Sequence, residues 1–160
     1  MPRKINVGLI SDTHGLLRPE ALDLLKGSDF IVHAGDIGDP EIVAELARLA
    51  PVSAVRGNVD KGTWAQSIPK TELLEVGGFA FLYVIHNIED LDLDPAAAGF
   101  HAVVSGHSHQ PEIRRKDGVL YVNPGSAGPR RFSLPISVAR LLVDDGKVSV
   151  DLIEIEPRSS

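Results

Sequence analysis

Ile5-Asn6-Val7-Gly8-Leu9-Ile10 runs straight into Ser11-Asp12-Thr13-His14, and this junction decides the fold. The apolar run is short, broken only by Asn6 and Gly8, and polar residues end it, so it reads as a buried strand. Pro19-Glu20 then opens a segment with Ala21, Leu22, Leu24 and Leu25 at helical spacing. Proline and an acid are both favoured in a first helical turn, and Gly27 ends the segment. Phe30-Ile31-Val32 reads as a second strand leading into Gly35-Asp36. Asp39-Pro40-Glu41 starts a second helix with Ile42, Val43, Leu46 and Leu49 on one face; Pro51 stops it, and residues 52–55 form a third strand. Strands and helices alternating across short connections predict a parallel sheet with right-handed crossovers.

The second half differs. Residues 73–76 and 79–85 flank Gly77-Gly78, a hairpin signal. Asp117-Gly118 lies between 113–116 and 119–122, and Asp145-Gly146 between 138–143 and 148–155, which predicts two more hairpins. The acidic loop 87–99 has room for one short helix. No internal repeat, linker or low-complexity tract interrupts the chain. The expectation is one α/β domain over residues 1–160, parallel early and antiparallel late, with two packed sheets.

Composition narrows the function classes. Of 160 residues, 43% are apolar and 24% charged, as in ordinary globular proteins. The absence of cysteine excludes a disulfide scaffold, a thiolate metal site and cysteine nucleophile chemistry. Met1-Pro2-Arg3-Lys4 leads into a run too short for a signal peptide, and no stretch reaches membrane-spanning length. The expected location is the cytoplasm, with no membrane partner. A net charge of -6 and no basic stripe argue against a nucleic-acid polymer as partner. A phosphate substrate would need local positive charge, which divalent metals supply.

Polar residues gather where the strands end: Asp12 and His14, then Asp36, then Asn58 and Asp60, then His86, then His107 and His109. In open α/β sheets ligands bind at strand carboxyl ends. Asp-x-His and His-x-His on extended backbone would put each pair on one side of its strand. Carboxylate, amide oxygen and imidazole donors suit Mn²⁺, Fe, Zn²⁺ or Ni²⁺ better than copper(I) or calcium. Asp12, His14, Asp36, Asn58, His86, His107 and His109 exceed the needs of one ion and fit two. A carboxylate can bridge such a pair, which then clamps the attacking and leaving oxygens of a phosphoryl displacement and acidifies a water. Taken singly, Gly-Asp and Gly-Asn-x-Asp are ordinary turns and a strand histidine is ordinarily structural. Their order and common position favour the metal reading.

Asp12-Thr13-His14, Gly35-Asp36, Gly57-Asn58, His86 and Gly106-His107-Ser108-His109 resemble, in order, the signature blocks of the calcineurin-like metallophosphoesterases. Asn123-Pro124-Gly125-Ser126, followed by Pro129-Arg130, is similar to a further block of that superfamily's small single-domain phosphodiesterase branch. The resemblance runs over about residues 5–155. It implies a four-layer αββα sandwich of two mixed β-sheets flanked by helices, the metallo-dependent phosphatase-like fold. It implies one metal on Asp12, His14 and His109, another on Asn58, His86 and His107, and Asp36 bridging them. Asp36, Asn58 and His86 would be catalytic. The cofactor is two divalent ions, Mn²⁺ first, with Ni²⁺, Fe or Zn²⁺ as alternatives. The implied activity is hydrolysis of a small phosphodiester by an activated water. The alternatives are a phosphomonoesterase of the same mechanism, or a non-catalytic protein-interaction scaffold like the retromer subunit of this branch. Family precedent suggests a dimer or tetramer.

Two departures stand out. Many relatives carry a histidine after the motif asparagine, where this chain has Val59, which cannot transfer a proton. Losing general-acid catalysis costs about 10²–10⁴-fold, so good leaving groups such as aryl oxygens are expected to be favoured. The usual His-Gly-His becomes His86-Asn87-Ile88, with Asn87 where a glycine turn is expected. Further candidates are Asn58, Gly125, Ser126 and Arg130 for binding substrate, Gly125 and Ser126 through backbone N–H groups and Arg130, with Arg131, through charge. Asn123 would support a ligand from behind. Asp60 would orient Asn58 or a histidine. His33 would orient Asp36 or simply pack. Trp64 reads as core cover, and Gly15 as a turn or a close backbone approach beside the metals.

Overall fold

The computed structural model describes residues 4–78 and 80–156; the readings of Met1-Pro2-Arg3 and of Phe79 lie outside them. Strand β1 is Lys4–Ile10, β2 Phe30–His33, β3 Val52–Ala54, β4 Thr71–Val76, β5 Ala80–Ile85, β6 Ala102–Val104, β7 Glu112–Lys116, β8 Val119–Asn123, β9 Ile136–Asp144 and β10 Lys147–Ile155. Helices α1, α2 and α3 are Pro19–Leu25, Pro40–Ala47 and Thr63–Gln66. The strands form two five-stranded sheets, ordered β10-β9-β1-β2-β3 and β4-β5-β6-β8-β7. Pairing of β1 with β2 and of β2 with β3 is parallel, and β1 with β9 antiparallel. The second sheet is also mixed, with β5-β6-β8 parallel inside antiparallel edges β4 and β7.

Side-chain alternation explains the layering. Ile5, Val7 and Leu9 of β1, Val32 of β2 and Leu141 of β9 face Leu82, Val84, Val104 and Leu120 of the second sheet. Ile10, Ile31 and Val138 point the other way, against Leu25 of α1 and Leu46 of α2. Both faces of β1 are buried, which is why its sequence is nearly continuously apolar. Each such Leu or Ile contributes about 1.5–3 kcal/mol. The outer face of the second sheet is covered differently. Val103 and Val119 pack beneath Ile88 of a 3₁₀ turn, Ile88–Asp90, so the fourth layer is mostly loop.

Local chemistry sets the element ends. Asp39 caps α2 by accepting the Glu41 N–H, with Pro40 in the first turn. That helix ends at Ala47, so Leu49 packs from the following turn and not from the helix face. Asp117-Gly118 and Asp145-Gly146 all have positive φ and leave two-residue turns, Lys116 opposite Val119 and Asp144 opposite Lys147. The Gly77-Gly78 hairpin is wider, with Val76 opposite Ala80. Helix α3 carries Trp64, which packs on the helix-side core, as expected. Among the described residues no helix is long and apolar enough to cross a membrane.

Candidate functional site

Loops leaving β1, β2, β3, β5 and β6 meet at one end of the sandwich. Backbone bonds lace them: Asp12 N–H to the Gly35 carbonyl at 3.0 Å, His14 N–H to Asp36 at 2.9 Å, and Gly106 N–H to His86 at 2.9 Å. The seven expected ligand side chains converge there. Asp12, His14 and His109 form one group whose donor atoms lie within 4.8 Å of one another, and Asp36, His86 and His107 form another. Asn58 joins the second group, its Oδ1 3.1 Å from His86 Nε2.

The route to this convergence differs from the expected one. Asp12, His14, Asp36, His107 and His109 have φ of 56°, 47°, 55°, 74° and 64°, all left-handed. Side-chain period two therefore does not apply, and His107 and His109 go to different groups. Asp and His tolerate this region better than most residues, at about 1 kcal/mol each. The motif glycines follow from the same crowding. A Cβ on Gly57 would collide with Asp36 Oδ1, and one on Gly106 would lie 2.7 Å from Asp12 Oδ2.

Each carboxylate spends one oxygen on its own loops. Asp12 Oδ2 accepts from the Ser11 hydroxyl at 2.7 Å and from His107 N–H at 3.1 Å. Its buried Oδ1 has no hydrogen-bond partner among the described residues and lies 3.5 Å from His109 Nε2 and 3.7 Å from His14 Nε2. Asp36 Oδ1 accepts the Val59 N–H at 3.0 Å. Asp36 Oδ2 lies between the groups, 3.2 Å from His86 Nε2 and 3.6 Å from His14 Nε2. His86 Nδ1 donates to the Ala34 carbonyl at 2.7 Å, turning the Nε2 lone pair toward Asp36 and Asn58. His14 Nε2 and His109 Nε2 face each other at 3.2 Å. Lone pairs thus converge with few protons between them, a donor set that suits cations.

Electrostatics carry the same signature. The Asp12 carboxylate, 3.7 Å from Nε2, holds the His14 imidazole above its usual pKa, against the effect of burial. Burial pushes His86 down, but the Asp36 carboxylate and the Ala34 carbonyl outweigh it and the net shift is upward. Burial pushes Asp36 up, but His86 and the Val59 N–H outweigh it and its pKa falls. Burial lowers His109.

The supporting residues act through backbone. His33 is fully buried; its Nε2 lies 3.0 Å from Thr13 Oγ1 and its Nδ1 accepts the Gly35 N–H at 3.1 Å, tying the Asp12 and Asp36 loops together. Among the described residues Asp60 makes no hydrogen bond to Asn58 or to a histidine. It accepts N–H bonds from Ile37, Gly38 and Gly57 at 3.1, 2.9 and 2.9 Å. Asn123 donates to the Gly106 carbonyl and to Ser108 Oγ, both at 3.0 Å, bracing the His107 loop from behind. Gly125 and Ser126 are not placed for substrate. Both are buried, the Gly125 N–H is taken by Asn123 Oδ1 at 2.9 Å, and the Ser126 hydroxyl donates to the Asp12 carbonyl at 3.0 Å. Asn87 has an ordinary φ of -113°, so no glycine is needed there, and Ile88 packs on the sheet. Gly15 takes the turn role, with φ 84°. Ser11, which anchors Asp12, carried no signal beyond its place before the motif.

Of the cavities that border the centre, two are larger than the one of about 260 Å³ against His107. One of about 730 Å³ adjoins Asn58 and His86 and is lined by Arg56, Lys61, Lys70 and Asp90. The other, about 470 Å³, adjoins His14 and His109 beneath Pro129, Arg130, Arg131 and Phe132.

Residues 5–146 match the model of the calcineurin-like phosphoesterase superfamily domain. A probable metallophosphoesterase of Methanothermobacter thermautotrophicus is 35% identical, over 92% of this chain and 91% of its own. Two solved structures share the fold at 21% identity. A novel archaeal phosphodiesterase has TM-score 0.77, covering 94% of this chain and 100% of its own. Vacuolar protein sorting 29 of Cryptosporidium parvum has TM-score 0.75, covering 95% and 98%.

Proposed function

Because the chain belongs to the calcineurin-like phosphoesterase superfamily, we propose that it is a phosphodiesterase working with two divalent metal ions, Mn²⁺ first among them. Asp12, His14 and His109 would hold one ion; Asn58, His86 and His107 the other; Asp36 would span both. The observation that carries this reading is the Asp36 carboxylate, with Oδ1 pinned by the Val59 N–H and Oδ2 facing His86 and His14 from between the two groups. Bound ions would supply Lewis-acid charge at the phosphoryl oxygens and lower the pKa of a coordinated water.

The chain's own residues have narrower tasks. Ala34 fixes the His86 tautomer so that Nε2 stays a donor of its lone pair. Asn58, exposed at the site mouth, presents its amide to the phosphoryl group. Arg130, on the rim of the His14 side, offers charge to substrate phosphate. Val59, 43% exposed, presents no proton to the departing oxygen, so that oxygen must leave as a stable anion. Aryl diesters meet this condition better than alkyl ones.

The test is metal content beside hydrolysis of bis-p-nitrophenyl phosphate with added Mn²⁺ or Ni²⁺. Two equivalents of metal and turnover abolished by Asp36→Asn are expected. Turnover of p-nitrophenyl phosphate in preference to the diester would make the protein a phosphomonoesterase. No turnover with any divalent metal would overturn the catalytic reading and leave a protein-interaction scaffold on this fold.

A further inference from the structure

Residues 128–134 form a loop with a fixed base and a free tip. At the base, the Ala127 N–H donates to the Ser11 carbonyl and the Ser126 hydroxyl to the Asp12 carbonyl, each at 3.0 Å. Arg18 Nε and Nη2 both donate to the Gly128 carbonyl at 3.2 Å. A Cβ on Gly128 would collide with the Thr13 carbonyl, so the loop lies directly on the Asp12–His14 turn. The Leu134 N–H closes the tip on the Arg131 carbonyl at 3.1 Å.

Phe132 stands on that tip, 89% exposed, where the next most exposed large apolar side chain among the described residues, Leu73, reaches only 48%. Its φ is 53°, a region that bulky residues rarely enter. A phenyl ring so placed adds almost nothing to folding, because almost none of its area leaves water. Yet it walls, with Arg131, the cavity that opens onto His14 and His109. The positive charge of Arg131 acts on both histidines.

We propose that Phe132 is a stacking platform for a planar aromatic ring carried by the non-leaving arm of the substrate, with Arg131 beside it balancing the phosphate charge. The inference rests on the phosphodiesterase reading and names its substrate class: diesters bearing a nucleobase or an aryl ring. Ring faces stack in offset pairs, and an exposed phenyl accepts any base because every base has a π-face. The fixed loop base keeps that platform at constant reach from the metal-binding end, so the ring selects among arms without taking part in the chemistry.

The experiment uses the full chain loaded with Mn²⁺ and p-nitrophenyl diesters whose other arm is methyl, phenyl or thymidine. The leaving group is constant, so differences report the arm. For the wild type, kcat/KM for phenyl should exceed methyl by about tenfold; a larger gain for thymidine identifies a nucleobase as the natural ring, and phenyl equal to thymidine an aryl group. Phe132→Ala and Phe132→Leu should bring the ratio toward one, Phe132→Trp should keep it, and Leu93→Ala, another exposed apolar site, should not change it. A wild-type ratio near one, or a ratio insensitive to Phe132→Ala, overturns the inference while the phosphodiesterase reading stands. A Phe132→Ala variant that loses an oligomer on size exclusion assigns the ring to an interface between copies and also overturns it. No turnover of any of the three diesters with any divalent metal fells both.

Discussion

Protonation of His33 should destabilise this protein by a calculable amount. The ring is fully buried, and burial lowers its pKa from the ordinary 6.5 to about 4. Its bonds require the neutral form. Thr13 Oγ1 donates its hydrogen to the Ile37 carbonyl at 2.8 Å, so His33 Nε2 must donate to Thr13, while Nδ1 accepts from Gly35. A second proton would sit on Nδ1, against the Gly35 N–H. In the unfolded chain the same histidine protonates near 6.5, so the unfolded state binds the extra proton first. Stability from this group is complete above pH 6.5, declines as pH falls toward 4, and is level below that. The gap from 6.5 to about 4, at about 1.4 kcal/mol per pH unit, is about 3 kcal/mol. Urea denaturation of chelator-treated wild type and His33→Gln at pH 7 and pH 4 isolates it, because other titrating groups cancel in the difference. Wild type should lose about 3 kcal/mol more than the variant. Equal losses, or an NMR titration of His33 near 6.5, would refute the reasoning.

Val59→His keeps the N–H that holds Asp36 and adds a group able to protonate a leaving oxygen; alkyl diester turnover should rise by up to about 10²-fold with aryl diesters little changed, read as a flatter dependence on leaving-group pKa. Asp60→Ala strips the shared acceptor from the N–H groups of Ile37, Gly38 and Gly57. It should cost about 3 kcal/mol and lower Tm by about 10 °C in a thermal melt, with reduced metal content even in the folded fraction.

Some of this architecture is legible in the residues and some is not, for identifiable reasons. Strand β1 declares itself because burial on both faces demands a nearly continuous apolar run. The Asp117-Gly118 and Asp145-Gly146 hairpins declare themselves because two successive positive-φ positions select Asp and Gly. The proposed ligands are recognisable by type and by their place after strands. Their backbone is not, since apolar periodicity reports burial and carries no information on φ in a polar loop. That is why His-x-His suggested a pair on one side of a strand, whereas left-handed turns send His107 and His109 to different groups. Gly125 and Ser126 misled for a related reason. A glycine–serine turn looks the same in sequence whether its N–H groups face a ligand or a neighbouring loop, and here Asn123 and the Asp12 carbonyl already hold them.

Strain and support are linked at this centre. Five of the proposed ligands have left-handed backbone, which at about 1 kcal/mol each is a sizeable fraction of a domain's net stability. Such conformations persist only where their surroundings over-determine them. The residues that do so, His33, Asp60, Asn123 and Ser126, bond to loop backbone or to Thr13 and Ser108, and none of them bonds a proposed ligand's side chain. Asp12 Oδ1 and Asp36 Oδ2 thereby receive no proton from these bracing residues while the ligands' Cα positions are held. A fold that only needed tight turns would have placed glycine at these positions, as it does at Gly35 and Gly38. Placing Asp and His there instead, and bracing them from behind, favours converging lone pairs over stability, which is the arrangement a cation site requires.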